Sequence, residues 1–442
     1  MTRLSIEAAW ERLDLGPAEE RACSAAIGIR FGDEWLTQAE DVFVKRVRDQ
    51  VHLSGYKLAE WLAWNWWRLR WEPRRAGAEW ALAHRMPTIG GGFVWPNIEI
   101  RSDTERVLLT AKPTRKVAAE PLRYLADTTA GMPADEWENA LDRFIDQVRG
   151  QLRAEGVVDT NLDRIWDDVL AERADKTAAL QRRFEAMLGY DPDEASSELV
   201  DQCIADAQAL GTGAFAEIAG ASQSSGLLMT AADLRQIART DGFGASWMDA
   251  VRLQELDRER PGTSPAWRRG VGLAMALRRQ EQLGDGPVGD AALAALTGTS
   301  AGVLQSTKSS GAFSFALAES SSGGRLALRS RWVSGRRFEL GRLLGDRLAQ
   351  PALERLLPAT NAATYRQKLQ RAFAAEFLCP IASLRDMLGD DTSGEAMLEA
   401  SQRFQVSELV VRSQLVSHGL LDRDALERDE ASEGAEPEIR AA

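Results

Sequence analysis

A chain of 442 residues has room for two or three domains, each with its own core. Its composition, 44% hydrophobic and 27% charged, is that of a soluble globular protein, and its apolar runs stop well short of the ~18 residues of a membrane span. Three histidines, three cysteines and a net charge of −12 argue against a multi-histidine mechanism, a disulfide framework, a Cys-rich zinc site and broad affinity for nucleic acid.

The first residues, MTRLSIEAAWERLDLG, carry acids where a signal peptide has its apolar segment, so a cytoplasmic protein is expected. Residues 1–125 read as an α/β domain. AAIGIRFGDEWLT and DVFVKRVRDQV have strand-like content, and YKLAEWLAWNWWRLRW predicts one helix that ends before Pro73. GGFVWPNIEIRSDTERVLLTA predicts a hairpin turning at SDTE, entered through the tight turn TIGGGF. Residues 126–256 turn helical. ADEWENALDRFIDQVRGQLRAEG places apolar residues at 137, 141, 144, 145, 148 and 152, one helix face with a stop at Gly156. TNLDRIWDDVLAERADKTAALQRRFEAMLGY continues as helix with a solvated charged face, and further helices follow near 194–211 and 230–255. DRERPGTSPA, 257–266, is the expected linker. Residues 266–422 read as a separate unit with a hairpin around SSSGGR, and 424–442 as an acidic disordered tail. No repeat of solenoid period occurs. The fold class expected is α+β, predominantly helical.

Seven of the 14 tryptophans lie within residues 61–95. On a helix, Leu58, Trp61, Leu62, Trp66 and Leu69 form one stripe, and Trp64, Trp67 and Trp71 form another. One stripe buries the helix in its own domain. The second, with Arg68 and Arg70 beside it, is either further core or a partner-binding surface, since Trp and Arg are the residues enriched at binding hot spots.

RRFELGRLLGDRL, 336–348, has the shape of a metallopeptidase zinc helix without its chemistry. Two histidines at i and i+4 can share one zinc, and a glutamate after the first activates the bound water. The corresponding positions hold Arg342, Leu343 and Asp346. Arginine stays protonated and leucine has no proton to move, so Asp346 is expected to pair with Arg342 along the helix and Leu343 to fill the cleft.

With its flanks, this stretch resembles the ImmA/IrrE family of HExxH metallopeptidases. RRFELGRLLGD keeps Phe338, Leu340 and Gly345 around the missing ligands, and QRAFAAEFLCP resembles the family's A-N-x-F-A-A-E-L-L-M-P segment through Phe373, Ala374, Ala375, Glu376, Leu378 and Pro380. AWRRGVGLAMALRRQEQLGDGPVGDAALAALTGTS is similar to its opening helices, and SQRFQVSELVVRSQLVSHGLL to its closing helix-turn-helix-like unit. The resemblance covers roughly 265–422 and implies a zincin-like fold. The family's third ligand would fall at Gln367 to Leu369, none of them a carboxylate. What the resemblance implies is a degenerate peptidase frame with no metal and no cofactor, acting by protein recognition in prokaryotic stress response, toxin–antitoxin control or phage defence.

Two other readings belong to different classes. An enzyme of unrecognised type would use His84 with the Gly-rich turn, Glu99 and Asp103. A DNA-binding regulator would use 401–421, where Arg403 and Arg412 are offset by Glu408, a thin electrostatic case. GTSAG, 298–302, has nucleophile-elbow spacing but follows a helical pattern, so it reads as a capped helix end.

Overall fold

The structure, a computed structural model, describes residues 3–115, 121–254, 260, 262–350 and 354–422. Residues 257–259 and 261 of the expected linker and the whole acidic tail lie outside the described residues. The protein is α+β, about 50% helix and 17% strand in small antiparallel sheets, so helix faces supply most of its core. No helix among the described residues is long and apolar enough to cross a membrane.

The first core forms where Leu4–Trp10 pairs antiparallel with Ser24–Phe31, which also pairs with Val51–Ser54. The helix Ala134–Ala154 closes this sheet with the face read from periodicity: Trp137, Leu141, Phe144, Ile145, Val148 and Leu152 are all buried. That helix belongs to the same core as the N-terminal strands. The hairpin Ile98–Ser102 with Arg106–Ala111 forms as expected, its turn carried by Thr104 at positive φ. Asp103 at its tip reaches the C-terminal part of the chain: the Tyr365 amide donates to its carbonyl at 2.6 Å, and Lys368 pairs with its carboxylate at 3.0 Å.

The C-terminal part is built on a sheet in the order Phe243–Ser246, Gly323–Ala327, Ser314–Ala318, Leu356–Ala359, every pair antiparallel. Its edge strand Phe243–Ser246 lies where the helix 230–255 was expected. The observed helix is Ala231–Asp241, and Gly242 and Gly244, the poorest helix formers after proline, let the chain leave it and pair with the hairpin around SSSGGR. Strand alternation gives the sheet two apolar faces. Phe315, Leu317 and Leu356 face the helices of the middle region, among them Ser197–Leu210 and Thr212–Ser225. Ala316, Leu326 and Ala359 face the helices Ala266–Gln280, Val333–Ala349 and Tyr365–Leu378. The sheet is thus the middle layer of three.

Close helix packing on this second face needs residues without side chains. A Cβ at Gly345 would lie 2.6 Å from the Phe373 ring, and one at Gly270 would lie 2.5 Å from the Leu369 carbonyl oxygen. The glycine in RLLGD therefore has a packing reason of its own.

Candidate functional site

The helix Val333–Ala349 carries the stretch that resembles a zinc helix and packs against Tyr365–Leu378. Between them lie the residues at the ligand positions, which the fold brings together. Arg342 donates through Nη2 to the Thr360 carbonyl at 2.6 Å, to Gln367 Oε1 at 2.6 Å and to Gln370 Oε1 at 3.3 Å. Both glutamines donate in turn to the Pro358 carbonyl, at 3.0 and 2.9 Å. Leu343 is buried in the core of this face rather than lying over a cleft.

Asp346 does not pair with Arg342, as the i,i+4 spacing suggested. Arg366 on the facing helix takes both of its oxygens in a fork, Nε to Oδ1 and Nη2 to Oδ2, each at 2.7 Å. This two-bond geometry between rigid partners is stronger than a solvated pair along one helix. The third guanidinium nitrogen of Arg366 bonds Glu354. Glu217, from the middle region, accepts from the Thr364 hydroxyl, and burial pushes its carboxyl up despite the pull of Arg366. Burial and then the Arg371 charge push the Arg342 guanidinium down. These residues do not fit zinc: one position offers a cation, one a hydrocarbon, and the single carboxylate is spent on Arg366. Among the described residues no group of three His, Cys, Asp or Glu side chains is placed to hold a metal.

The tryptophan-rich segment is two helices, Gly55–Trp64 and Trp66–Trp71, separated at Asn65, whose side chain donates to the Trp61 carbonyl. Of the five partner-binding candidates, only Trp64 is well exposed, at 56%. Trp67 is buried and donates to Glu172. Arg68 is buried with Glu72 at 2.8 Å and Asp191 at 3.2 Å. Arg70 is buried, bonds Glu138 and the Thr104 carbonyl, and stacks on Trp71, whose ring also meets Arg183. Trp67, Arg68, Arg70 and Trp71 are spent inside the chain, while Trp64 stays exposed. Glu172 of the helix Asn161–Ala174, Glu138 of Ala134–Ala154, Glu72, Asp191 and the Thr104 carbonyl at the hairpin tip answer them, and Arg183 of Lys176–Met187 lies over Trp71.

His84 is fully buried and stacked on Trp80 at 4.1 Å. Its Nδ1 meets the Ile100 carbonyl at 2.8 Å and its Nε2 meets Glu72 Oε2 at 3.1 Å. Glu99 is held by Arg85 and Arg74, and Asp103 by Lys368, so the three residues of the enzyme reading sit in separate contacts. In the closing helix pair Gly394–Phe404 and Glu408–Ser417, Arg412 faces Glu408 at 3.6 Å, and Gln414 is buried against Glu376 and the Cys379 carbonyl. GTSAG follows the helix Asp290–Leu296, as its pattern predicted.

Two open concavities are evident among the described residues: one of about 310 Å³ beside Trp61 and Trp64, and one in the C-terminal part. A cleft of about 350 Å³ sits between the C-terminal end of the Val333–Ala349 helix and the sheet. Ala316, Ala318, Leu348 and Leu357 form its apolar floor, and Arg252, Arg347 and Arg355 line it together with Trp247. Among the described residues Glu354 is its single acidic lining residue, and it is engaged by Arg366. Sequence reasoning missed this cleft because its residues come from four segments, and none of those forms a motif.

Comparison with protein-family models, with curated proteins and with solved structures finds no match for this chain.

Proposed function

We propose that this chain is a non-catalytic recognition protein whose C-terminal part is a degenerate peptidase frame of the ImmA/IrrE kind, bound by a protein partner at the cleft beside the hollow zinc helix. The observation that carries the reading is the commitment of the motif residues to the fold itself. Asp346 is forked by Arg366, and Arg342 is bonded to Thr360 and Gln367. Side chains spent in this way leave neither metal ligand nor general base at the site, while the adjoining cleft stays open. The strand Leu356–Ala359 argues for a cleft over strand addition, because its Pro358 lacks an N–H and its Pro358 carbonyl is already taken by Gln367 and Gln370. The resemblance brings with it a prokaryotic regulatory setting, such as stress response, toxin–antitoxin control or phage defence.

The test is metal stoichiometry by mass spectrometry on protein purified without a histidine tag, together with proteolysis of unfolded substrates. Less than about a tenth of a zinc per chain and no cleavage are expected. Near one zinc per chain would overturn the reading.

A further inference from the structure

The cleft has two chemical features that together narrow its occupant, and the inference rests on the recognition reading above. The first is its floor, where Ala316 and Ala318 of one strand, Leu357 of the next and Leu348 of the helix present small and medium apolar side chains. The second is an excess of cation. Arg252 and Arg355 are exposed, and among the described residues neither has an acidic side chain within ion-pair distance. Arg347 donates through Nη2 to the Trp247 carbonyl at 2.7 Å and lies over the Trp247 ring at 5.0 Å, and its Nη1 is buried without a partner among the described residues. Burial, and then the neighbouring Arg252 charge, push the Arg347 guanidinium down, so two like charges are held close at one wall. Among the described residues, three arginines at the cleft face one committed carboxylate, in a chain whose net charge is −12.

The walls are preformed. The Trp247 amide donates to the Ser322 carbonyl at 2.8 Å and the Val251 amide to the Leu296 carbonyl at 3.0 Å. Gln280 donates to the Arg252 carbonyl and accepts from the Gln254 amide. The Arg355 backbone is bonded on both sides, its amide to Leu210 and its carbonyl to Ala318. A cleft held open by main-chain bonds, apolar below and cationic at the rim, suits a ligand with an apolar body and one anionic end. Its volume holds the end of a chain and not a folded surface.

We propose that the cleft captures the C-terminus of a partner polypeptide, its last apolar side chain on the Ala316–Leu357 floor and its terminal carboxylate at Arg252 and Arg355. A free small acid shares this chemistry, and the experiment separates the two. The full chain is titrated into fluorescein-labelled hexapeptides ending in Ala, Val, Leu, Met, Phe or Trp, each as the free acid and as the C-terminal amide, and into octanoate by calorimetry. The expected result is saturable binding of at least one free-acid peptide. Its amide should bind about tenfold or more weakly, as should the free acid to the Arg252→Glu and Arg355→Glu variants, whose melting temperatures stay at the parent value. Equal binding of acid and amide overturns the carboxylate assignment and leaves the recognition reading standing. Octanoate binding without peptide binding overturns the polypeptide occupant and makes the cleft a small-acid site. Binding of no probe overturns both this inference and the placing of recognition at this cleft.

Discussion

Asp346 and Arg347 are neighbours in sequence, and the helix turns them to opposite fates. Asp346 is fully buried and has both oxygens forked by Arg366, whereas Arg347 lines an open cleft, donates to the Trp247 carbonyl and has no acidic partner among the described residues. The first charge is answered inside the chain, so it serves the fold. The second belongs to a group of three arginines that the described acids leave unbalanced. The difference teaches that a charged residue at a motif position is not by itself functional, and that function is better sought where the fold leaves a charge unanswered.

The strongest way to break this comparison is to remove Asp346. Asp346→Ala strips Arg366 of its fork and leaves a buried guanidinium with Glu354 alone. A loss of about 3 kcal/mol in urea unfolding is expected. A loss below about 0.5 kcal/mol would mean that the pair is incidental and that Asp346 is free for another task. Next in size is Gly345→Ala, which sets a methyl 2.6 Å from the Phe373 ring where two rigid helices meet. It should cost about 1–3 kcal/mol, read from the same unfolding curves.

What the sequence reveals divides along the same line. The face of Ala134–Ala154 and the two hairpins were legible because periodicity and turn chemistry are local. The partner of Asp346 was not, because Arg366 comes from another helix, and spacing along one helix names only Arg342. Arg68 and Arg70 misled in a similar way. Beside exposed-looking tryptophans they suggested a surface, yet Glu72, Asp191 and Glu138 neutralise them within the fold. The strand Phe243–Ser246 is illegible in sequence because FGAS lacks the β-branched residues that mark a strand, and its pairing partner lies in a distant hairpin. The cleft had no signature at all, being assembled from four segments that meet only in three dimensions.

A smaller effect probes the buried side of the comparison through pH. Burial raises the Glu217 carboxyl above its ordinary value of 4.5, so the folded state holds a proton that the unfolded state has released. Its contribution is therefore full below that ordinary value and is lost as pH rises through the folded one. Glu217→Gln keeps an acceptor for the Thr364 hydroxyl and cannot ionise. Urea unfolding at a series of pH values from about 4.5 upward should show a decline in the parent that is shallower in the variant. An unchanged slope would assign the decline to other groups.

The smallest effect sharpens the comparison most. Arg355→Glu reverses a charge at the cleft as drastically as Asp346→Ala removes one at the junction, yet its stability change should stay within about 0.5 kcal/mol. Arg355 is exposed, and the structure fixes it through main-chain bonds that any residue at that position can make. The same urea curves measure this directly. Should the variant unfold as easily as Asp346→Ala, Arg355 would be answered within the chain after all, and the cleft would lose its claim to surplus charge. Unchanged stability would leave the arginine with no structural task, which is what a residue kept for an external anion requires.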